Sequence, residues 1–248
     1  MSSEEQNVFQ YTDTNSTRAG IAHLNSKFDN LKIAIIGLGG TGSYILDLVS
    51  KTPVHEIHLY DDDDFQLHNA FRAPGATPSE KFDEVEGLKK VDYYFSIYSK
   101  MHNGIKTHCE RITEANIKNL EGFNFAFLSV DSNEARSMIT KKLLSMNIPF
   151  IDVGLGVNSS NEKLLGSIRI TVGTDAKNDH LVNRIGSEET GNNEYSKNIQ
   201  MAELNCMNAA LAVIKWKKIA GFYQDIKQEH NILYFINTNK FLNEDYPI

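Results

Sequence analysis

Gly37-Leu38-Gly39-Gly40-Thr41-Gly42 spells a G-x-G-x-x-G turn. Without side chains in the way, backbone N–H groups and a following helix N-terminus can face a phosphate there. An acid about 20 residues further on is expected to hold a ribose hydroxyl, and Asp61 lies 61 − 42 = 19 residues past the last glycine. Alone, this set fits an NAD(P)-dependent oxidoreductase and a nucleotide-activating enzyme equally well. The stretch YDDDDFQLHNAFRAPG, residues 60–75, separates them. It carries Asp61-x-Asp63 and then Asn69-x-x-Arg72, and a dehydrogenase has no use for that arginine. A triphosphate does, because charge developing on it must be neutralised by Arg, Lys and a metal. Lys90 opens a helix and suits the same task. Asp131 closes an apolar strand, and a carboxylate at the carboxyl end of a central strand can hold Mg²⁺.

The elements needed to position these residues are readable. Residues 32–36, KIAII, form a short β-branched run that suits a strand buried on both faces. Residues 41–50 have apolar side chains at helical spacing, and 56–60 form a second strand, which completes a βαβ unit. The alternation continues with a helix over 88–101, strands at 105–109 and 123–130, a helix over 133–146 and a strand at 149–153. That pattern predicts a Rossmann-like, doubly wound α/β sheet, parallel in its N-terminal part. Beyond it the period changes and the sheet is expected to become mixed. Residues 164–172 alternate as a half-buried strand, 173–197 form a long polar crossover loop, 199–221 form a long helix and 231–237 a final strand. Residues 1–30 read as a polar arm, and 31–248 as a single domain.

Composition narrows the classes further. Lys+Arg number 25 against 32 Asp+Glu, for a net charge of −7, which excludes a basic nucleic-acid wrapper. No apolar run approaches the roughly 20 residues of a membrane span, and no signal peptide is visible. The two cysteines, Cys109 and Cys206, make neither a disulfide framework nor a Cys-x-x-Cys zinc pair, so the reading is cytoplasmic.

The run from Gly37 to Arg72, with Asp131 followed by Arg136 in a D-x-x-x-x-R pattern, resembles the ThiF/MoeB/HesA group of adenylyltransferases, which are related to ubiquitin-activating enzymes. The resemblance spans roughly residues 18–221. It implies an ATP- and Mg²⁺-dependent enzyme that activates the C-terminal carboxylate of a ubiquitin-like or sulfur-carrier protein, typically ending in Gly-Gly, as an acyl-adenylate. Gly37, Gly39, Gly40 and Gly42 would cradle the nucleotide, with Asp61 on the ribose. Asp63 belongs to the same motif, Asn69, Arg72 and Lys90 would contact phosphates, and Asp131 would hold Mg²⁺. The group works as homodimers that borrow an arginine across the interface. Arg18 is the only arginine before the first strand and is the candidate.

Two departures from the group stand out. There are no zinc-binding Cys-x-x-Cys pairs, so no structural zinc is expected, and residues 173–197 contain no cysteine, where some relatives keep a transfer thiol. Cys206 sits among apolar residues at helical spacing and reads as packing, as does Cys109. Asp62 and Asp64 read as solvated loop charges, and Trp216 with Lys215, Lys217 and Lys218 as a helix face without chemistry. The rival readings are the oxidoreductase and a catalytically silent scaffold. A scaffold has no need to keep Arg72, Lys90 and Asp131 together.

Overall fold

The computed structural model describes residues 7–83, 87–185 and 199–247. Eight strands form one sheet: β1 Lys32–Ile36, β2 Glu56–Tyr60, β3 Ile105–His108, β4 Phe125–Leu128, β5 Phe150–Ser160, β6 Lys163–Gly173, β7 Asn231–Phe235 and β8 Lys240–Glu244. The helices are α1 Thr14–Arg18, α2 Gly40–Val49, α3 Leu67–Ala70, α4 Glu80–Asp83, α5 Lys90–Tyr98, α6 Asn133–Ser145, α7 Leu181–Arg184 and α8 Ala202–Ile219, with 3₁₀ turns at Ala22–Lys27 and Ile117–Leu120. The strand order is β3-β2-β1-β4-β5-β6-β7-β8. Pairing is parallel from β3 to β5 and antiparallel from β5 to β8. This is the doubly wound sheet, mixed toward the C-terminus, that the alternation predicts.

Why the β1 run is apolar throughout is visible in its alternation. Ile33 and Ile35 enter one core with Leu46, Ile57, Tyr94 and Trp216, while Ala34 and Ile36 enter the other with Leu128, Ile139 and Leu143. A parallel strand covered by helices on both faces has no side left for polar residues. Because β2 and β4 flank β1 in parallel, the carboxyl ends of all three strands, and the α2 N-terminus, share one edge of the sheet.

Several boundaries differ from expectation for physical reasons. β4 ends at Leu128 rather than residue 130, because Ser129–Asp131 turn away into α6, whose N-cap Ser132 accepts a bond from the Ala135 amide at 3.2 Å. β5 runs on to Ser160 because β6 pairs with its full length. Gly154, Gly156 and Asn158 hid that extension from propensity. The hairpin closes at Asn161 and Glu162, both at positive φ, the two-residue geometry that suits twisted strands. β8 was not foreseen; its residues KFLNE lie at an exposed edge with weak alternation. Part of the expected crossover loop, residues 186–198, lies outside the described residues.

The N-terminal segment is tied down by buried Phe9 and Phe28. Phe28 packs against Trp216 with ring centroids 5.1 Å apart. Trp216 is therefore not an idle helix face: it is fully buried, and Lys215 beside it is buried too, paired with Asp225 at 2.8 Å.

Candidate nucleotide-binding site

The glycine turn is built by close approach. A Cβ on Gly37, whose φ is +91°, would lie 2.4 Å from the Ser129 carbonyl oxygen, and one on Gly42 would lie 1.9 Å from the Gly37 carbonyl oxygen. These two glycines let β1, β4 and α2 meet. Gly39 is different, because a Cβ there would meet nothing within 4 Å. Its missing side chain leaves open space in front of the α2 N-terminus. Gly39 is also the α2 N-cap and has no side chain to bond the first N–H groups, so those donors are available to an anion.

Asp61 does more than wait for a ribose. One oxygen accepts the Leu38 N–H at 2.7 Å and the other accepts the Asp63 N–H at 2.9 Å, so this buried carboxylate fixes both the glycine turn and the acidic loop. Lys90, the first residue of α5 and itself buried, reaches across with Nζ 2.7 Å from Asp63 and 3.5 Å from Asp61. Its hydrogen bond holds the Asp63 carboxyl below the usual range, with Arg111 acting in the same sense. Asp62 and Asp64 are ion-paired rather than merely solvated: Arg111 Nε lies 2.6 Å from Asp62, and Lys89 Nζ 2.8 Å from Asp64.

A cavity of about 210 Å³ gathers Gly37, Gly39, Asp61, Asp63, Arg72, Lys90 and Asp131. On one side its wall is apolar, made by Ile36, Tyr60, Ile112 and Ile139. Burial pulls the Arg72 guanidinium below its ordinary value, opposed by Tyr94 and Asp131. Its Nε is buried without a hydrogen-bond partner among the described residues. A desolvated, incompletely bonded guanidinium beside open helix N–H groups is a place for phosphate. These residues fit Mg-ATP: the donors and Gly39 leave room for the phosphates, and Asp131 supplies the hard oxygen that Mg²⁺ prefers.

The other expected residues fall around this centre. Asn69 caps α3, its Oδ1 accepting the Gln66 N–H at 2.7 Å, and lines an adjoining cleft with Arg72 and Lys90. Gly40 lines a second cavity of about 610 Å³, which runs along β5 and β6 past Val153–Asn158 and Ser167. The two cavities share Gly39, Ser129, Val130, Asp131 and Gln200. Arg18 lines neither. It is exposed at the end of α1, whose residues pack near Lys51 and Pro53 at the far end of α2, about 15 Å of helix from the glycine turn.

Three features of the structure differ from what spacing in the sequence shows. Arg111 clamps Asp62 and Asp63 from just beyond β3; its place at the carboxyl edge was the available signal. Asn205 on α8 is buried, accepts the Thr41 hydroxyl at 3.0 Å and donates to the Arg72 carbonyl at 3.3 Å, joining α2 to the Arg72 loop. Asparagine within a helix, a poor helix former, was its signal. The third is the pair of cysteines. Both Cys109 and Cys206 are free and exposed, so neither is the packing residue that its neighbours suggested.

The ThiF family model matches residues 16–165. Ubiquitin-like modifier-activating enzyme 5 of Dictyostelium discoideum is 22% identical over 151 residues, which make up 57% of this chain and 40% of that enzyme. The chain thus spans less than half of that relative's length. Among solved structures, E. coli MccB superposes with a TM-score of 0.75 at 17% identity, over 98% of this chain and 72% of that one. E. coli MccB with ATP gives 0.71 at 18%, over 95% and 72%, and PaaA gives 0.67 at 18%, over 91% and 67%. These structures share the fold of this chain.

Proposed function

This chain belongs to the ThiF family, and from that premise we propose that it is an ATP-dependent adenylyltransferase that activates the C-terminal carboxylate of a polypeptide. The observation that carries the proposal is the junction of the two cavities over the glycine turn. The two cavities share Gly39 and Asp131, so a tail lying along β5 and β6 would reach the space beside Arg72 where a phosphate bound at the α2 N-terminus would sit. Structures of E. coli MccB with ATP and with MccA support the binding of a nucleotide and of a second molecule on this fold.

In this reading ATP supplies the adenylyl group and pyrophosphate is the leaving group. A carboxylate oxygen bonds to the α-phosphorus while the bond to the bridging oxygen of the β-phosphate breaks. The protein's part is positioning and charge neutralisation. Asp61 holds the turn and would meet the ribose, Arg72 and Lys90 would face the phosphates, and Asp131 would hold Mg²⁺, which supplies charge neutralisation when bound. The apolar wall of Ile36, Tyr60 and Ile112 takes the base. We extend the proposal to a ubiquitin-like or sulfur-carrier protein with a Gly-Gly tail as the acceptor, to a homodimer in which Arg18 serves the opposite subunit, and to a cytoplasmic setting, which suits two free exposed thiols.

ATP–pyrophosphate exchange tests the reading. Labelled pyrophosphate should enter ATP only with Mg²⁺ and a polypeptide bearing a free C-terminal carboxylate, and Asp131→Ala should abolish it with the fold intact. Calorimetric binding of NADH but not of Mg-ATP would instead install the oxidoreductase.

A further inference from the structure

We propose that Asp152 is a positioning residue of this site, acting through Arg136 to fix the turn that carries Asp131; the inference rests on the adenylation reading. Asp152 lies on β5 with no exposed surface, in register with Leu128 on β4 and Thr171 on β6. Each oxygen takes a different guanidinium: Arg136 Nε lies 2.8 Å from Oδ1 and Arg169 Nη2 lies 2.5 Å from Oδ2. A buried carboxylate is costly unless so paired, and apolar replacements of such ion clusters are often neutral or better for stability. A charged cluster kept at the cavity wall therefore calls for a use other than stability.

The geometry supplies that use. Arg136, in the first turn of α6, also donates from Nη2 to the Val130 carbonyl at 2.5 Å and from Nη1 to Asn133 Oδ1 at 3.1 Å. One guanidinium thus joins the buried acid to the carbonyl immediately before Asp131. The bonds to Val130 and Asn133 are directional, whereas the contact with Asp152 is an ion pair without hydrogen-bond geometry, so the acid draws the guanidinium by charge while the guanidinium holds the turn that otherwise projects into the cavity. Arg169 steadies the acid from the other side. Its guanidinium lies flat over Gly154, where a Cβ would come within 3.0 Å of Nη2, and it also bonds the Thr171 hydroxyl. Thr171 in turn donates to Asn231 Oδ1 on β7 at 2.9 Å. Both arginines line the second cavity next to Asp131, so the cluster ties the metal-holding turn to the floor on which the tail lies.

The test measures how much Mg²⁺ is needed to bind ATP, by calorimetry, on the full chain. Asp152→Asn keeps the shape and removes the charge. Its half-saturating Mg²⁺ should rise at least fivefold, while binding of metal-free ATP, which leans on Asp61 and Arg72, should change less than twofold. Because Asp152→Asn leaves two half-buried guanidiniums with their shared acid removed, Asp152→Asn/Arg169→Gln is measured beside it. This pair returns the cluster to the net charge of the wild type and leaves Arg136 still without its acid. A double variant with wild-type melting temperature but a raised Mg²⁺ requirement supports positioning. One that recovers both shows that Asp152 is only a structural brace and overturns the proposal. In an Arg136→Lys background, Asp152→Asn should add little to the Mg²⁺ effect, as coupled residues do; full multiplication of the two effects would mean that Arg136 is not the link. Wild-type protein that binds no Mg-ATP overturns the adenylation reading and this proposal together. Wild-type binding with an unchanged Mg²⁺ requirement in every variant overturns this one alone.

Discussion

Asp61→Ala separates two roles that the sequence merges. The glycine-turn pattern assigns Asp61 to the ribose, yet its oxygens accept the Leu38 and Asp63 amides at 2.7 and 2.9 Å. Hydrogen bonds to a charged group contribute about 1.5–3 kcal/mol each, and a buried donor left unpaired costs about 1–3 kcal/mol. Deleting the carboxylate therefore costs about 3 kcal/mol, discounted for water that reaches Asp63 at the loop surface. At ~2–4 °C per kcal/mol for a domain of this size, the melting temperature without nucleotide should fall by about 6–12 °C. Asp61→Asn keeps one acceptor oxygen and should fall about half as far. Thermal unfolding with and without Mg-ATP reads both roles at once. The loss without nucleotide reports the turn, and the smaller stabilisation by a fixed ATP concentration reports weakened binding. If Asp61→Ala melts within about 1 °C of wild type in the absence of nucleotide while its ATP KM rises, Asp61 is a ribose ligand only and the turn is held by other bonds.

Three shorter predictions follow from other parts of the molecule. Burial holds the fully buried His102 at a pKa of about 4, below the ~6.5 of an unfolded chain. Its contribution is therefore complete above about pH 6.5 and lost as pH falls toward 4, up to about 3 kcal/mol in all. Urea midpoints at pH 7.5 and 5 should differ more in wild type than in His102→Gln, and equal slopes would remove His102 from the account. Mixing inactive Arg18→Ala with inactive Asp131→Ala should restore part of the exchange activity if Arg18 serves the opposite subunit, since one site of each heterodimer keeps both residues; no recovery in a mixture shown to exchange subunits counts against it. Cys206→Ala should keep wild-type adenylation although the thiol is exposed, and a reducible enzyme–polypeptide adduct lost in that variant would make the protein a transferring enzyme.

What could be read in the chain was what neighbours in sequence decide. The β1–α2–β2 unit, its glycines and Asp61 lie within about 30 consecutive residues, and Asn69-x-x-Arg72 follows on the same loop, so spacing alone placed them. Asp131 was legible because a strand end has a fixed place in a doubly wound sheet. What stayed hidden was pairing over distance. Nothing near Asp152 announces that Arg136 and Arg169 converge on it from α6 and β6, and nothing near Thr41 announces Asn205, 164 residues away. The arm showed the same limit, since Phe9 and Phe28 look isolated among polar residues until His102 and Trp216 are brought beneath them.

The cysteine on α8 shows why periodicity failed there in particular. Reading apolar residues as the inward face puts Cys206 among Leu204, Met207 and Ala209 and assigns it to packing. The buried stripe instead runs through Asn205, Asn208, Ala209 and Ala212, at the i, i+3, i+4, i+7 spacing of one helix face. Its two asparagines are inside because each meets a polar demand: Asn205 bonds Thr41 and the Arg72 carbonyl, and Asn208 donates to the Gly154 carbonyl at 3.1 Å. A buried amide is stable only when bonded in this way, and no hydropathy pattern can anticipate bonds to α2, the Arg72 loop and β5. Since adjacent residues on a helix stand about 100° apart, seating Asn205 inward turns Cys206 toward solvent. The residues that make this helix look least like a core helix are the ones that seat it against α2, the Arg72 loop and β5, and the exposed thiol follows from that seating.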